Sequence, residues 1–241
     1  MASERGRKGA GPSARKLSAA SRRVRRLPLL LASATALTCL FFLLVPGRTL
    51  LERASMATGY LALVLVAVSL AIGPLNILRD VSNPPSINLR RDIGIIAGIV
   101  AIAHVILGLQ VHFGGDFVRY FLDIKTNMGI VGIRVDGFGI ANHLGLIATM
   151  IILVLLCISN NLSIRRLGPR TWKQIQRWNY VGAPLVVVHA LVYQGVERRK
   201  AVFVAGVLVI AIGTAFLQLL GLRRRSGQIT LAQKSRPSET G

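Results

Sequence analysis

Four histidines are the residues of this 241-residue chain whose type and setting could do chemistry. His104, His112, His143 and His189 all lie inside, or at the end of, long apolar runs. An ionisable side chain in such a run is a functional candidate by default, because burying it is costly. No aspartate or glutamate accompanies them in the middle of a run, which excludes the acidic constellation of a proton or cation pump. HExxH, a Cys/His zinc spacing and a glycine-rich phosphate loop are also missing from the chain. Neutral imidazoles without carboxylates suit haem iron. Helix bundles build such sites from side chains on facing helices. The bland alternative for each histidine is a hydrogen bond between helices.

Spacing ranks the four. His104 lies 12 residues past Asp92, or roughly 18 Å along a helix. His189 lies 9 residues past Tyr180, or roughly 14 Å above the inner aromatic belt, on the same side of the membrane. Those depths let both imidazoles reach one iron from opposite sides. His112 and His143 sit near the outer ends of their runs and make at best a second, outer pair. Tyr193, one turn beyond His189, reads equally as an interface residue.

The elements that must position these side chains are membrane helices. A bilayer core needs about 20 apolar residues per helix. Six segments qualify: 27–45, 55–78, 93–113, 138–158, 172–193 and 201–222. The fifth is the least clear, since TWKQIQRWN opens it with polar and aromatic residues, placing Trp172, Trp178 and Tyr180 at headgroup depth. The expected fold is therefore all-α, a six-helix membrane bundle over 27–222. A disordered basic segment (1–26) precedes it and a polar tail (223–241) follows. The tail is too short for a nucleotide-binding domain. Arg22-Arg23 before an apolar run imitates a secretory signal, but no small-x-small cleavage site ends the run, so a retained anchor is expected.

Composition agrees. The chain is 52% hydrophobic and only 16% charged, with 30 Lys+Arg against 9 Asp+Glu and a net charge of +21. Its mean hydropathy is +0.56. A soluble nucleic-acid binder would spread such charge over its surface, whereas here it is clustered between charge-free runs, so a nucleic-acid partner is not expected. The two cysteines, Cys39 and Cys157, both sit in apolar runs, which excludes a disulfide scaffold. With the N-terminus in the cytoplasm, 22 of the 30 basic residues fall on inner segments and 8 on outer loops. By the positive-inside rule both termini are cytoplasmic.

Specific strings add a resemblance. GYLALVLVAVSLAIGPLNIL, INLRRDIGIIAGIVAIAH and SNNLSIRRLGPRTWKQIQRWNYVGAPLVVVHALVY resemble the ferric reductase-like transmembrane family. Within it they are similar to the haem-binding membrane subunits of bacterial periplasmic methionine-sulfoxide reductase systems. The resemblance runs from Ala54 to Leu222. Its most specific pieces are Gly-Pro-Leu at 73–75, the spacing from Arg90-Arg91 to His104, and Ser159-Asn160-Asn161 followed by Arg165-Arg166-Leu167-Gly168 and Trp172. It implies a b-type cytochrome of the bacterial inner membrane in which His104 and His189 match the haem-ligand positions. Related bundles stack two haems across the membrane. Here Gln176 stands where the family has a histidine. One haem b is therefore expected. A second is open only through another group, such as His143 or His112.

The resulting reading is a membrane electron conduit without a flavin or nicotinamide domain of its own. Electrons would come from a quinol or a separate flavoprotein, and a quinone or flavin site would lie on the cytoplasmic side. They would leave to an extracytoplasmic reductase or a ferric chelate. Arg90, Arg91 and Arg177 would face propionates or a quinone at the inner mouth, or serve only topology. The competing reading is a haem-free membrane scaffold or assembly protein. A small transporter is disfavoured by the lack of buried acids and of inverted repeats.

Overall fold

A computed structural model describes residues 12–80, 86–125 and 130–234. Eight helices carry almost all of it: α1 (Pro12–Leu44), α2 (Leu50–Leu78), α3 (Ser86–Val111), α4 (Val118–Phe121), α5 (Gly137–Cys157), α6 (Asn161–Gln176), α7 (Asn179–Val196) and α8 (Ala201–Lys234). A short hairpin, β1 (Leu122–Lys125) with β2 (Ile130–Ile133), pairs antiparallel with Leu122 opposite Ile133. The helix starts follow local chemistry. The side-chain oxygens of Thr49, Asp136 and Asn160 accept hydrogen bonds from the backbone N–H groups of Glu52, Gly139 and Ser163, satisfying donors that a helix start leaves unpaired.

Among the described residues five stretches are long and apolar enough to cross a membrane: Arg26–Leu44, Leu50–Leu78, Asn88–Val111, Gly137–Cys157 and Ala201–Gln228. Their outer faces display large apolar side chains, such as Leu43 at 72% exposure and Val209 at 70%. That surface belongs in lipid rather than in water. The fifth expected span differs from its sequence assignment. The expected 172–193 segment is divided between two helices, α6 ending at Gln176 and α7 starting at Asn179. α6 is a separate amphipathic helix that bends at Gly168 (φ 76°) ahead of Pro169. Proline has no N–H to donate and cannot continue the preceding turns. α7 keeps 18 residues, or about 27 Å. Its hydropathy is diluted by His189, Tyr193 and Gln194. At the termini, α1 takes in residues 12–26, which composition assigns to a disordered leader, and α8 continues to Lys234 through most of the expected polar tail. Residues 1–11 and 235–241 lie outside the described residues.

Two helix pairs organise the bundle. α2 packs most extensively on α3, and α5 on α7. α1 and α8 lie against α2 from outside the pairs. Ala34, Leu61 and Ile96 join α1, α2 and α3 in one buried cluster. Beneath it Asp92, 1% exposed, takes an ion pair from Arg26 at 2.6 Å.

Candidate functional site between two helix pairs

Each helix pair presents one histidine. On α3, His104 donates its Nδ1 proton to the carbonyl of Ser55 on α2, at 2.8 Å. On α7, His189 does the same to the carbonyl of Ala141 on α5, at 2.7 Å. A carbonyl oxygen can only accept, so in a neutral ring the hydrogen sits on Nδ1 and the lone pair on Nε2. Among the described residues neither Nε2 makes a hydrogen bond. Both imidazoles are thus held from behind with their basic nitrogens available.

The room for each ring comes from a glycine. A Cβ at Gly59 would lie 2.9 Å from both Nδ1 and Cε1 of His104, and one at Gly145 would lie 2.8 Å from Nδ1 of His189. Each glycine stands four residues after the carbonyl its histidine bonds. The two pairs therefore repeat one local device: a carbonyl, a glycine one turn on, and an imidazole lying across both.

The rings approach each other across the bundle, with centroids 6.3 Å apart and planes at 73°. Imidazole–metal bonds are about 2 Å, as in zinc sites, and a ring centroid lies about 1.1 Å from its Nε2, so two imidazoles sharing one metal ion put their centroids roughly 6.2 Å apart. The observed spacing matches. Between and around the rings lies a cavity of about 460 Å³, lined by α2, α3, α5, α7 and α8 and dominated by apolar side chains such as Leu63, Val66, Leu109, Ile152 and Val186. A space of this size and character suits a flat apolar prosthetic group. Its polar lining is confined to a few groups, including Tyr60, Asn142, Tyr193, Gln194 and Arg199.

The other expected site residues are placed elsewhere. His112 bonds the Tyr193 hydroxyl through Nε2 at 2.7 Å, within an aromatic cluster of Phe113, Tyr120 and Phe138. His143 lies beside Phe121 with its Nε2 buried and without a partner among the described residues. Neither lines the cavity, and the two are not brought together as a pair. Arg90, Arg91 and Arg177 do not line it either. Arg91 instead donates to the Ser159 carbonyl and to Asn161 Oδ1, tying α3 to the end of α5 and the start of α6. Gln176 donates to Ser159 Oγ at 3.3 Å, and Trp172 to the Ile158 carbonyl at 2.9 Å. Residues that sequence reasoning passed over are Gly59, Gly145 and Arg199. The signal for the glycines is weak: small residues in membrane helices mark close approach.

The fold and this site define a membrane-embedded helix bundle with two opposed imidazoles. Residues 58–187 match the family described as ferric reductase like transmembrane component, and the chain belongs to that family. The match contains Gly59, His104 and Gly145 and ends two residues before His189. Two relatives sharpen the likeness. Over 143 residues the chain is 29% identical to the protein-methionine-sulfoxide reductase heme-binding subunit MsrQ of Ralstonia nicotianae, covering 59% of each chain. Over 175 residues it is 27% identical to the subunit of the same name from Deinococcus radiodurans, covering 71% of this chain and 77% of that one. The chain thus spans less than two thirds of the length of the first relative. No solved structure matches it.

Proposed function

We propose that the chain is the haem-binding membrane component of an electron-transfer system, in which His104 and His189 would hold one haem b. The single observation that carries this reading is the opposed pair, 6.3 Å between centroids, with both Nδ1 atoms anchored on backbone carbonyls. The relatives are named as heme-binding subunits, which supports the same assignment. Bound haem would supply one-electron carriage between two iron oxidation states.

The protein's own contribution is positional. The carbonyls of Ser55 and Ala141 set tautomer and ring orientation, as outer-shell partners of metal-bound histidines do. Gly59 and Gly145 let the rings lie against the neighbouring helices. Leu63, Val66, Leu109 and Ile152 keep water from the space between them. With the imidazoles of His104 and His189 both committed to holding the iron, the site would favour passing electrons over binding a small substrate.

In this reading α7 is the fifth of six spans, both termini are cytoplasmic, and the membrane is the bacterial inner membrane. Electrons come from a quinol or a separate flavoprotein and leave to an extracytoplasmic reductase or a ferric chelate. The test is purification in detergent with haem quantitation and a reduced-minus-oxidised spectrum. One haem per chain is expected, and His104→Ala and His189→Ala should each abolish it. Colourless protein from haem-supplied cells would overturn the reading in favour of a haem-free scaffold.

A further inference from the structure

The outer end of the cavity differs chemically from the rest. Arg199, Gln194 and Tyr60 all line it there. Gln194 is 7% exposed, and its Oε1 is buried without a hydrogen-bond partner among the described residues. The Tyr60 hydroxyl is likewise buried and unpartnered. Buried polar atoms are almost always satisfied in a complete structure. Two in one cavity wall, one an acceptor and one a hydroxyl able to donate, point to a missing polar partner.

Arg199 supplies a charge beside them. Its guanidinium is ion-paired to Glu52, the buried carboxylate at the start of α2, and lies 3.8 Å from Glu197. Glu52 in turn accepts from the Arg48 backbone N–H at 2.7 Å. Arg199 is therefore fixed by α2 from one side, and its backbone N–H donates to the Gln194 carbonyl at 3.0 Å. The segments at the start of α2 and between α7 and α8 hold five basic residues, Arg48, Arg53, Arg198, Arg199 and Lys200, against the two acids Glu52 and Glu197. The local balance remains positive.

We propose that this outer end is a carboxylate receptor, in which Arg199, the Tyr60 hydroxyl and Gln194 take the acid side chains of the bound tetrapyrrole. A carboxyl group meets every requirement of the wall. Its oxygens accept from the guanidinium and the phenol, and its protonated form donates to Gln194 Oε1. The acid edge of the macrocycle then faces the outer surface. This inverts the expectation from sequence, which put the propionate partners at Arg90, Arg91 and Arg177 on the inner side. The proposal rests on the haem reading above and deepens it.

The experiment titrates full-length apoprotein in detergent with haemin and with haemin dimethyl ester, following the Soret band. Wild type should bind haemin at least about tenfold more tightly than the ester, as expected when charge-assisted hydrogen bonds are lost. Tyr60→Phe keeps the ring's packing on Phe41 and Phe203 and should narrow that preference severalfold. Gln194→Leu should do the same. Arg199→Gln strands Glu52 and can unfold the chain, so Arg199→Gln is made together with Glu52→Gln, which should abolish the preference while ester binding persists. Equal affinity of wild type for haemin and ester would overturn the receptor but leave the haem reading intact. Failure of both ligands to bind would overturn the haem reading itself. A preference unchanged in all three variants would place the receptor elsewhere.

Discussion

Gly145 stands to His189 as Gly59 stands to His104: a Cβ on either glycine would fall within 2.9 Å of the imidazole's Nδ1. Each ring therefore occupies the volume of an absent methyl group. Alanine at either position must push the ring away and stretch its bond to Ser55 or Ala141. Losing such outer support typically weakens metal binding roughly 10–100-fold. Gly59→Ala and Gly145→Ala should each lower haem per chain in purified protein, measured by pyridine haemochrome, by about tenfold at limiting haem. Gly98→Ala is the control. Its Cβ would come no nearer than 3.3 Å to the movable end of Leu156, and haem content should hold. Full haem in both test variants would remove the glycines from the site.

His112 and His143 are expected to be dispensable for haem. His112 spends its Nε2 on Tyr193, and His143 is walled off beside Phe121. His112→Gln and His143→Gln should both retain one haem per chain with an unchanged difference spectrum. Gln176→Ala should also leave stoichiometry unchanged, since among the described residues the Gln176 side chain bonds only Ser159. Two haems per chain in wild type, falling to one in any of these variants, would reveal a second haem.

The two central histidines were legible in the sequence for a simple reason. A lone imidazole in an apolar run has few readings, and counting 1.5 Å per residue from a polar landmark gives its depth. His104 and His189 follow that arithmetic. The glycines were not legible, because Gly59 and Gly145 look like any of the 24 glycines until the neighbouring helix is in place. Arg199 was hidden by its neighbours. In the string Glu197-Arg198-Arg199-Lys200 nothing marks which cation folds back onto Glu52, a contact 147 residues away. The start of the fifth span was misplaced because the apolar residues of α6 run into those of α7. Only the break at Arg177 and Trp178 separates an amphipathic helix from an apolar one.

Asp136 should make stability pH-dependent at the N-terminal end of α5. Its carboxylate accepts from the Gly139 backbone N–H at 2.8 Å and from Arg134 Nε at 3.0 Å. The Arg134 hydrogen bond is the largest cause holding its pKa below the ordinary value of 3.8. A depressed carboxylate pKa contributes stability above the unfolded value, and that contribution is lost as pH falls through the folded one. Asp136→Ala should therefore cost about 1 kcal/mol at neutral pH, the usual worth of a helix N-cap. Thermal melts in detergent should show the gap between variant and wild type narrowing below about pH 4. A gap that is constant from pH 7 to pH 3 would deny Asp136 this role.

Membrane orientation can be read from the two ends of the bundle, which are charged differently. α6 carries Arg165, Arg166, Arg170 and Lys173 with no acidic residue. Against an anionic leaflet each such residue contributes about 1 kcal/mol, which favours the cytoplasmic side for α6. At the opposite end Glu52 and Glu197 offset Arg199. Single cysteines in a background lacking Cys39 and Cys157 test this. Val135, 77% exposed between β2 and α5, and Thr171, exposed on α6, are suitable positions. A membrane-impermeant maleimide should label Val135→Cys in intact spheroplasts and Thr171→Cys only after lysis. The two sites lie on opposite faces only if α5 crosses once between them, so labelling of both before lysis would sink the span assignment. Labelling of Thr171→Cys alone would invert the orientation and, with it, put the Arg199 end of the cavity on the cytoplasmic side.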